Sequence, residues 1–333
     1  MKIKHIILAA AVAFLAGCAA DAPKERGFVT VQDGEFVRDG DTLAFVGTNF
    51  WYGPIIASEG RGGNRERLHK ELDALKETGV TNLRILVGSD GPEGVAYKVE
   101  PVLQREPGVY NDTLLRGLDY LLAQMAQRDM HAVLYFNNSW EWSGGYGQYL
   151  EWAGDGKALL PSVDGYENYV DHVSRFVKNE KAKELYYDHV RNIVTRTNTV
   201  TGKPYKDDPV IFSWQIGNEP RAFARDSVTK AAFADWMCSS ATLIKSLDPN
   251  HMVSTGSEGL YGCEVDMELF EKIHAHKDID YLNVHIWPLV WRWVTKDTFA
   301  DSVCVANSQT EKYLTAHFPV AERLGKPIVL EEF

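Results

Sequence analysis

Strand-like and helix-like segments alternate along this chain from residue 43 to residue 333, and that alternation restricts it to folds built on a parallel sheet. Apolar, β-branched runs at 43–52, 81–88, 131–138, 210–219, 252–258, 281–287 and 327–333 read as strands. Stretches with helical spacing lie between them at 65–78, 112–128, 166–196, 228–247, 267–276 and 307–324, the third long enough for two helices. No repeat or Pro/Ser-rich linker divides the chain. A doubly wound sheet would be expected to carry a GxGxxG or Walker loop, and neither occurs. The pattern therefore predicts an α/β fold, a TIM (β/α)8 barrel apparently truncated after the seventh strand. An eighth strand and at least one helix are expected beyond Phe333.

The first residues read as a targeting segment and fall outside the fold. Lys2 and Lys4 precede an apolar run, Ile6 to Phe14, and Leu15-Ala16-Gly17-Cys18 follows at once. That tetrapeptide resembles the bacterial lipobox, whose Cys becomes the lipidated first residue of the mature chain. The expected organisation is a lipoprotein signal peptide at 1–17, a tether at 18–28 and a catalytic barrel at 29–333. The apolar run is too short to span a bilayer. The membrane is thus expected only as the support of an N-terminal lipid anchor at Cys18, in a bacterial cell envelope, periplasmic or at the cell surface. Net charge is −11, and removing Lys2 and Lys4 takes it to −13. An acidic chain without a basic stripe argues against nucleic acid as partner, whereas a neutral polysaccharide would not be repelled. Cys238, Cys263 and Cys304 remain, which allows one disulfide plus a thiol or three buried thiols. No Cys or His spacing suggests a metal, His274 and His276 read as surface residues, and no cofactor is expected.

Two strands end in carboxylates: Val210 to Pro220 carries Glu219 near its tip, and Lys326 to Phe333 carries Glu331 and Glu332. Catalytic groups of parallel barrels sit at strand C-termini. Residues two apart share a strand face. In the fourth strand Phe212, Trp214 and Ile216 form an apolar face for helices, and Ser213, Gln215, Gly217 and Glu219 face the lumen. Asn82 and Arg84 in the second strand, and Asn283, His285 and Trp287 in the sixth, converge on the same lumen. Hydrolysis of a glycosidic bond uses two carboxyl groups, about 5–5.5 Å apart when configuration is retained. A neighbouring Arg favours the ionised nucleophile.

Trp214-Gln215-Ile216-Gly217-Asn218-Glu219-Pro220-Arg221 together with Leu330-Glu331-Glu332-Phe333 resembles glycoside hydrolase family 5, whose barrels carry Asn-Glu-Pro at the end of strand four and a nucleophile at the end of strand seven. The resemblance covers essentially the whole mature chain. It implies Glu219 as acid/base, Glu332 as nucleophile with Glu331 as the alternative, and Asn218 as the contact to the sugar 2-hydroxyl. Arg84 matches the Arg that ends strand two, and His285 matches the His of a His-x-Tyr on strand six. Here the pattern is His285-Ile286-Trp287. Trp287 can donate through its indole N–H but cannot accept. Asn137-Asn138-Ser139-Trp140 and Arg221 resemble the endo-β-1,4-mannanases of the family, in which Arg221 would bind the leaving-group side.

Trp51, Trp140, Trp142, Trp152, Trp287, Trp291 and Trp293 lie at or beyond strand ends, suited to packing on pyranose rings, while Trp214 and Trp236 read as core. The chain is expected to be a retaining enzyme cutting β-mannan or a related polysaccharide, with Trp51, Trp140, Trp287 and Trp291 among its substrate contacts. A cellulase-like endo-β-1,4-glucanase and a non-catalytic carbohydrate-binding lipoprotein are the alternatives.

Overall fold

The computed structural model describes residues 26–333, so the leader, the lipidation site and most of the tether lie outside the described residues. Seven parallel strands run β1 (Val46–Asn49), β2 (Val80–Leu86), β3 (His131–Tyr135), β4 (Ile211–Gln215), β5 (Met252–Ser254), β6 (Leu282–His285) and β7 (Ile328–Glu332). The first five pair in the order β5-β4-β3-β2-β1, and β6 pairs with β7. A bridge between Ser254 and Tyr281 joins the two sets. The result is the barrel that the alternation predicts. Its strands are shorter than expected, because the residues past each strand end turn outward into loops.

Helices cover the barrel with their apolar faces inward. Arg65–Glu77 starts at Asn64, whose side chain accepts from the Arg67 N–H, and Asp112–Gln127 starts at Asn111 in the same way. The expected long helical stretch is two helices, Tyr166–Val173 and Glu180–Val194. The last helix begins eight residues earlier than expected, at Phe299. Trp214 and Trp236 are fully buried between helices and strands, as expected of core residues.

A three-stranded antiparallel ribbon over 30–42, unsignalled by the alternation, closes the N-terminal end of the barrel. Its Phe36 ring lies 5.1 Å from Phe212 and 5.3 Å from Tyr281, with Val133 and Met252 in the same cluster. Phe212 therefore belongs to the barrel floor and not to the helix-facing side. The cause is a bulge: Ala132 pairs with Ile211 and Val133 with Ser213, which leaves Phe212 as the extra residue.

β7 and β1 do not pair. A cleft of about 420 Å3 separates them, lined by residues that include Val46, Thr48, Val329 and Leu330. The Asn49 amide donates across this seam to the Glu331 carbonyl at 3.0 Å. The seam lies where an eighth strand was expected.

Cys238, Cys263 and Cys304 are all free thiols, and Cys304 is exposed. His274 is not at the surface as expected. It is fully buried, with Nδ1 on the Phe270 carbonyl and Nε2 on the Thr255 hydroxyl, because it lies on the inner face of the helix Met267–His274. Burial pulls its pKa down to about 3 and those of His131 and His189 to about 4.

These rings stay neutral in the fold but take a proton near pH 6.5 when unfolded. The stability they confer is complete above pH 6.5 and is lost as pH falls toward 4. Asp90, pushed up to about 7 by burial, works in the opposite sense over that window. Comparison of His274→Gln with the parent isolates one ring: urea unfolding should lose about 1.4 kcal/mol less per pH unit between pH 6 and 4. Identical slopes would mean that His274 is not buried neutral.

Candidate active site

Glu219, Glu332 and three positive groups, Arg84, His285 and Arg221, meet at the C-terminal mouth of the barrel. Glu219 stands four residues past β4, held in the left-handed region at φ 50°. Its N–H donates to the Gly256 carbonyl at 3.0 Å, and its carbonyl accepts from the Ser139 hydroxyl. Such backbone strain persists only where the surroundings over-determine it. Gly256 is part of that constraint: at φ +74°, a Cβ on it would sit 1.9 Å from the Gly217 carbonyl oxygen.

Both oxygens of Glu219 are claimed. The Trp140 indole N–H donates to Oε2 at 2.5 Å, and Nδ1 of His285 lies 3.0 Å from Oε1. Burial pushes the carboxyl up, but the bond and charge of His285, with Trp140 and Arg221, outweigh it and hold the group below the usual carboxylate range. Although burial opposes it, the Glu332 charge with the contacts from Glu219 and Glu331 pushes His285 up to about 10. The Glu219–His285 pair thus shares one proton at neutral pH.

Glu332 receives a 2.5 Å hydrogen bond from Arg84 Nη1 and one of 3.2 Å from the Trp287 indole. Trp287 therefore meets Glu332 through the N–H that the sequence singles out. Arg84 also donates from Nε to Gln215 at 2.7 Å, from Nη1 to Asn49 at 3.0 Å and from Nη2 to Asn218 Oδ1 at 2.9 Å. Because Arg84 only donates, the Asn218 oxygen is fixed toward it. The Asn218 NH2 group, 3.2 Å from Asn138 Oδ1, is left as the donor side.

Arg84 and His285 are buried behind the carboxylates and absent from the cleft wall. Both contact the carboxylates, Arg84 at Glu332 and His285 at Glu219. Trp51, Trp140, Trp287 and Trp291 do line the cleft, with Asn218, Arg221, Glu219 and Glu332, and it encloses about 1090 Å3. Trp142 lines it too, 6.2 Å from Trp51 in an edge-on pair. Trp152 packs on the core and Trp293 on Trp291 and Tyr313, so neither is on this wall.

Sequence reasoning missed Glu258, just past β5. Its carboxylate takes both Nε and Nη2 of Arg221, at 2.5 and 2.6 Å, and Arg221 in turn lies 5.4 Å from the Trp140 ring centre. Burial and the Glu219 charge push Glu258 up, against the pull of Arg221. Its signal was its place as the last residue of the run 252–258 read as the fifth strand. In all, Arg84, Arg221 and His285 face Glu219, Glu258, Glu331 and Glu332, three cations against four carboxylates. Glu219, His285 and Glu332 bring one ligand atom each within 4.8 Å, a spacing that a metal ion could bridge. The guanidinium of Arg84, 2.5 Å from Glu332, already supplies a positive charge at that carboxylate.

The carboxyl groups of Glu219 and Glu332 approach to within 4.8 Å. This is the close spacing of a pair that works by attack and protonation on one bond, with no room for an intervening water.

A family profile described as GH family 5 beta-mannosidase-like matches residues 26–333. Mannan endo-1,4-beta-mannosidase 4 of Oryza sativa subsp. japonica is 31% identical over 329 residues, which cover 95% of this chain and 65% of that protein. Mannan endo-1,4-beta-mannosidase 5 of Solanum lycopersicum is 30% identical, covering 93% and 71%. Among solved structures, a glycoside hydrolase family 5 mannosidase from Rhizomucor miehei superposes with a TM-score of 0.83 at 36% identity, covering 92% of this chain and 73% of that one.

Gly256→Ala tests how tightly the Glu219 position is built. The added methyl must displace the 217–219 segment, and a shift of about 1 Å at a reacting group costs on the order of 100-fold in rate. Hydrolysis should fall by that order while the far-ultraviolet circular dichroism is kept. Unchanged activity would show that the segment yields without moving Glu219.

Proposed function

The chain belongs to glycoside hydrolase family 5, in its β-mannosidase-like group, and from that premise we propose that it is a retaining endo-β-1,4-mannanase. The observation that carries the reading is the close Glu219–Glu332 pair at the floor of a cleft walled by tryptophans. The named activity of the rice and tomato relatives supports the substrate.

In the proposed reaction Glu219 gives its proton to the glycosidic oxygen as the C1–O bond breaks, and a Glu332 oxygen bonds to C1. The alcohol leaves. Water then attacks C1, its proton passing to Glu219, and the bond to Glu332 breaks, so the product keeps the β configuration. Asn218 presents its NH2 group toward the ring, and Arg221, fixed by Glu258, faces the leaving-group side. Arg84 and Trp287 hold Glu332, and Trp140 and His285 hold Glu219.

Glu219→Gln and Glu332→Gln should each lower kcat on β-mannan by at least about 10³-fold with the fold intact. Early-time NMR of the parent reaction should show the β-anomer first. An α-anomer first would contradict the double displacement, and preferential release of reducing ends from cellulose would contradict the mannan assignment.

One observation favours a second reading, hydrolysis from chain ends. The R. miehei structure at 36% identity is called a mannosidase and not an endo-mannanase. Product analysis separates the two: internal cutting gives a ladder of oligosaccharides and a rapid loss of viscosity, whereas end-wise cutting gives a single short product.

The lipid anchor is likewise a proposal, supported by Lys2, Lys4, the Ile6–Phe14 run and Leu15-Ala16-Gly17-Cys18. Cys18→Ala should move the protein from the membrane to the soluble fraction of envelope-producing cells; an unchanged membrane fraction would remove the anchor.

A further inference from the structure

A bulge in β7 turns two consecutive carboxylates into one lumen. β6 and β7 pair Val284 with Leu330 and then His285 with Glu332, which leaves Glu331 as the extra residue. On a regular strand adjacent side chains point to opposite faces. An inserted residue re-aims one of them. Here the Glu331 side chain is only 5% exposed and that of Glu332 14%. Glu332 reaches the cleft, whereas Glu331 stands behind it. A buried carboxylate is costly unless it is paired, and Glu331 has partners. Gln215 Nε2 donates to both its oxygens at 2.9 and 3.1 Å, and Arg84 Nε lies 3.6 Å away.

We propose that Glu331 is a positioning residue for proton transfer, holding the His285 ring in its doubly protonated form so that the Nδ1 proton can be shared with Glu219. The proposal rests on the reading of Glu219 as the acid/base. Its geometry is a line: Glu331 Oε2 lies 3.5 Å from His285 Nε2, an ion-pair contact, and Nδ1 on the far side of the ring lies 3.0 Å from Glu219. Glu219 from the segment after β4, Glu258 after β5, Glu331 and Glu332 from β7 and Arg84 from β2 are the charged groups that face the ring. Glu219 and Glu332 meet Nδ1, and Glu331 meets Nε2. Arg84 opposes a charged ring.

In the acid step the Nδ1–H bond breaks as the Glu219 Oε1–H bond forms. The ring becomes neutral and keeps its Nε2 proton against Glu331. The proton goes on to the glycosidic oxygen and is replaced, in the second half, by one from water. Without the Glu331 charge the ring gives up its extra proton at lower pH, and the pair runs out of acid sooner.

The test uses 15N-histidine NMR with pH profiles of kcat/KM for the parent and Glu331→Gln. In the parent both His285 nitrogens should stay protonated up to pH 9. In Glu331→Gln the ring should deprotonate at least one pH unit lower, and the alkaline limb of kcat/KM should move down with it. At pH 8 the ratio of kcat/KM for mannotetraose to that for 2,4-dinitrophenyl β-mannobioside, whose leaving group needs no proton, should fall at least tenfold. Equal losses on both substrates with an unmoved limb would reduce Glu331 to a structural residue. Complete loss on both, with Glu332→Gln still active, would make Glu331 the nucleophile. If Glu331→Gln does not fold, the parent spectrum still decides, because a neutral His285 ring at pH 7 overturns the proposal. That arm needs no substrate, so a wrong polysaccharide would silence the kinetics and leave it standing.

Discussion

A guanidinium buried among carboxylates governs this barrel. Arg84 is 6% exposed at its side chain and joins β1, β2, β4 and β7 through Asn49, Gln215, Asn218 and Glu332. A charge taken out of water is tolerated only where its partners are complete. Here the partners are the very groups that must be aligned for chemistry. Electrostatic satisfaction and catalytic geometry are therefore one condition, and the strands that meet in the lumen are held in register by it.

The imbalance around that cation is as informative as the pairing. Four carboxylates share three positive groups, which leaves one site poised to hold a proton. The two bonds to the Glu219 oxygens favour its ionised form, so that proton rests on the buried His285 ring, 3.0 Å behind the Glu219 carboxylate. Arg221 and Glu258 form a separate pair beside it, a fixed part of the cleft wall.

Much of this was legible in the sequence because it follows from periodicity. The apolar alternation in β2, β4 and β6 gives the order of strands and the lumen positions of Asn82, Arg84, Gln215, Asn283 and His285. Tip position and chemistry together single out Glu219 and Glu332. What escaped has a common physical origin. Bulges break the period of two, so Phe212 faces the floor and Glu331 the lumen, where alternation puts neither. Roles that depend on side-chain reach were also hidden. Trp140 reads as a sugar platform but also donates to Glu219, and the lumen positions of Arg84 and His285 do not say that they meet Glu332 and Glu219. The ribbon at 30–42 has no spacing signature, since short polar strands resemble any loop.

The burial of the Arg84–Glu332 and Arg221–Glu258 pairs has a consequence for the solution in which the protein works. Mobile ions screen charges that face water, over about 8–10 Å at physiological ionic strength, but cannot enter between side chains packed this closely. A neutral polymer gains nothing from long-range attraction to an acidic surface. Binding and bond cleavage should therefore be nearly indifferent to salt, so that brackish and fresh water are the same medium to this active site.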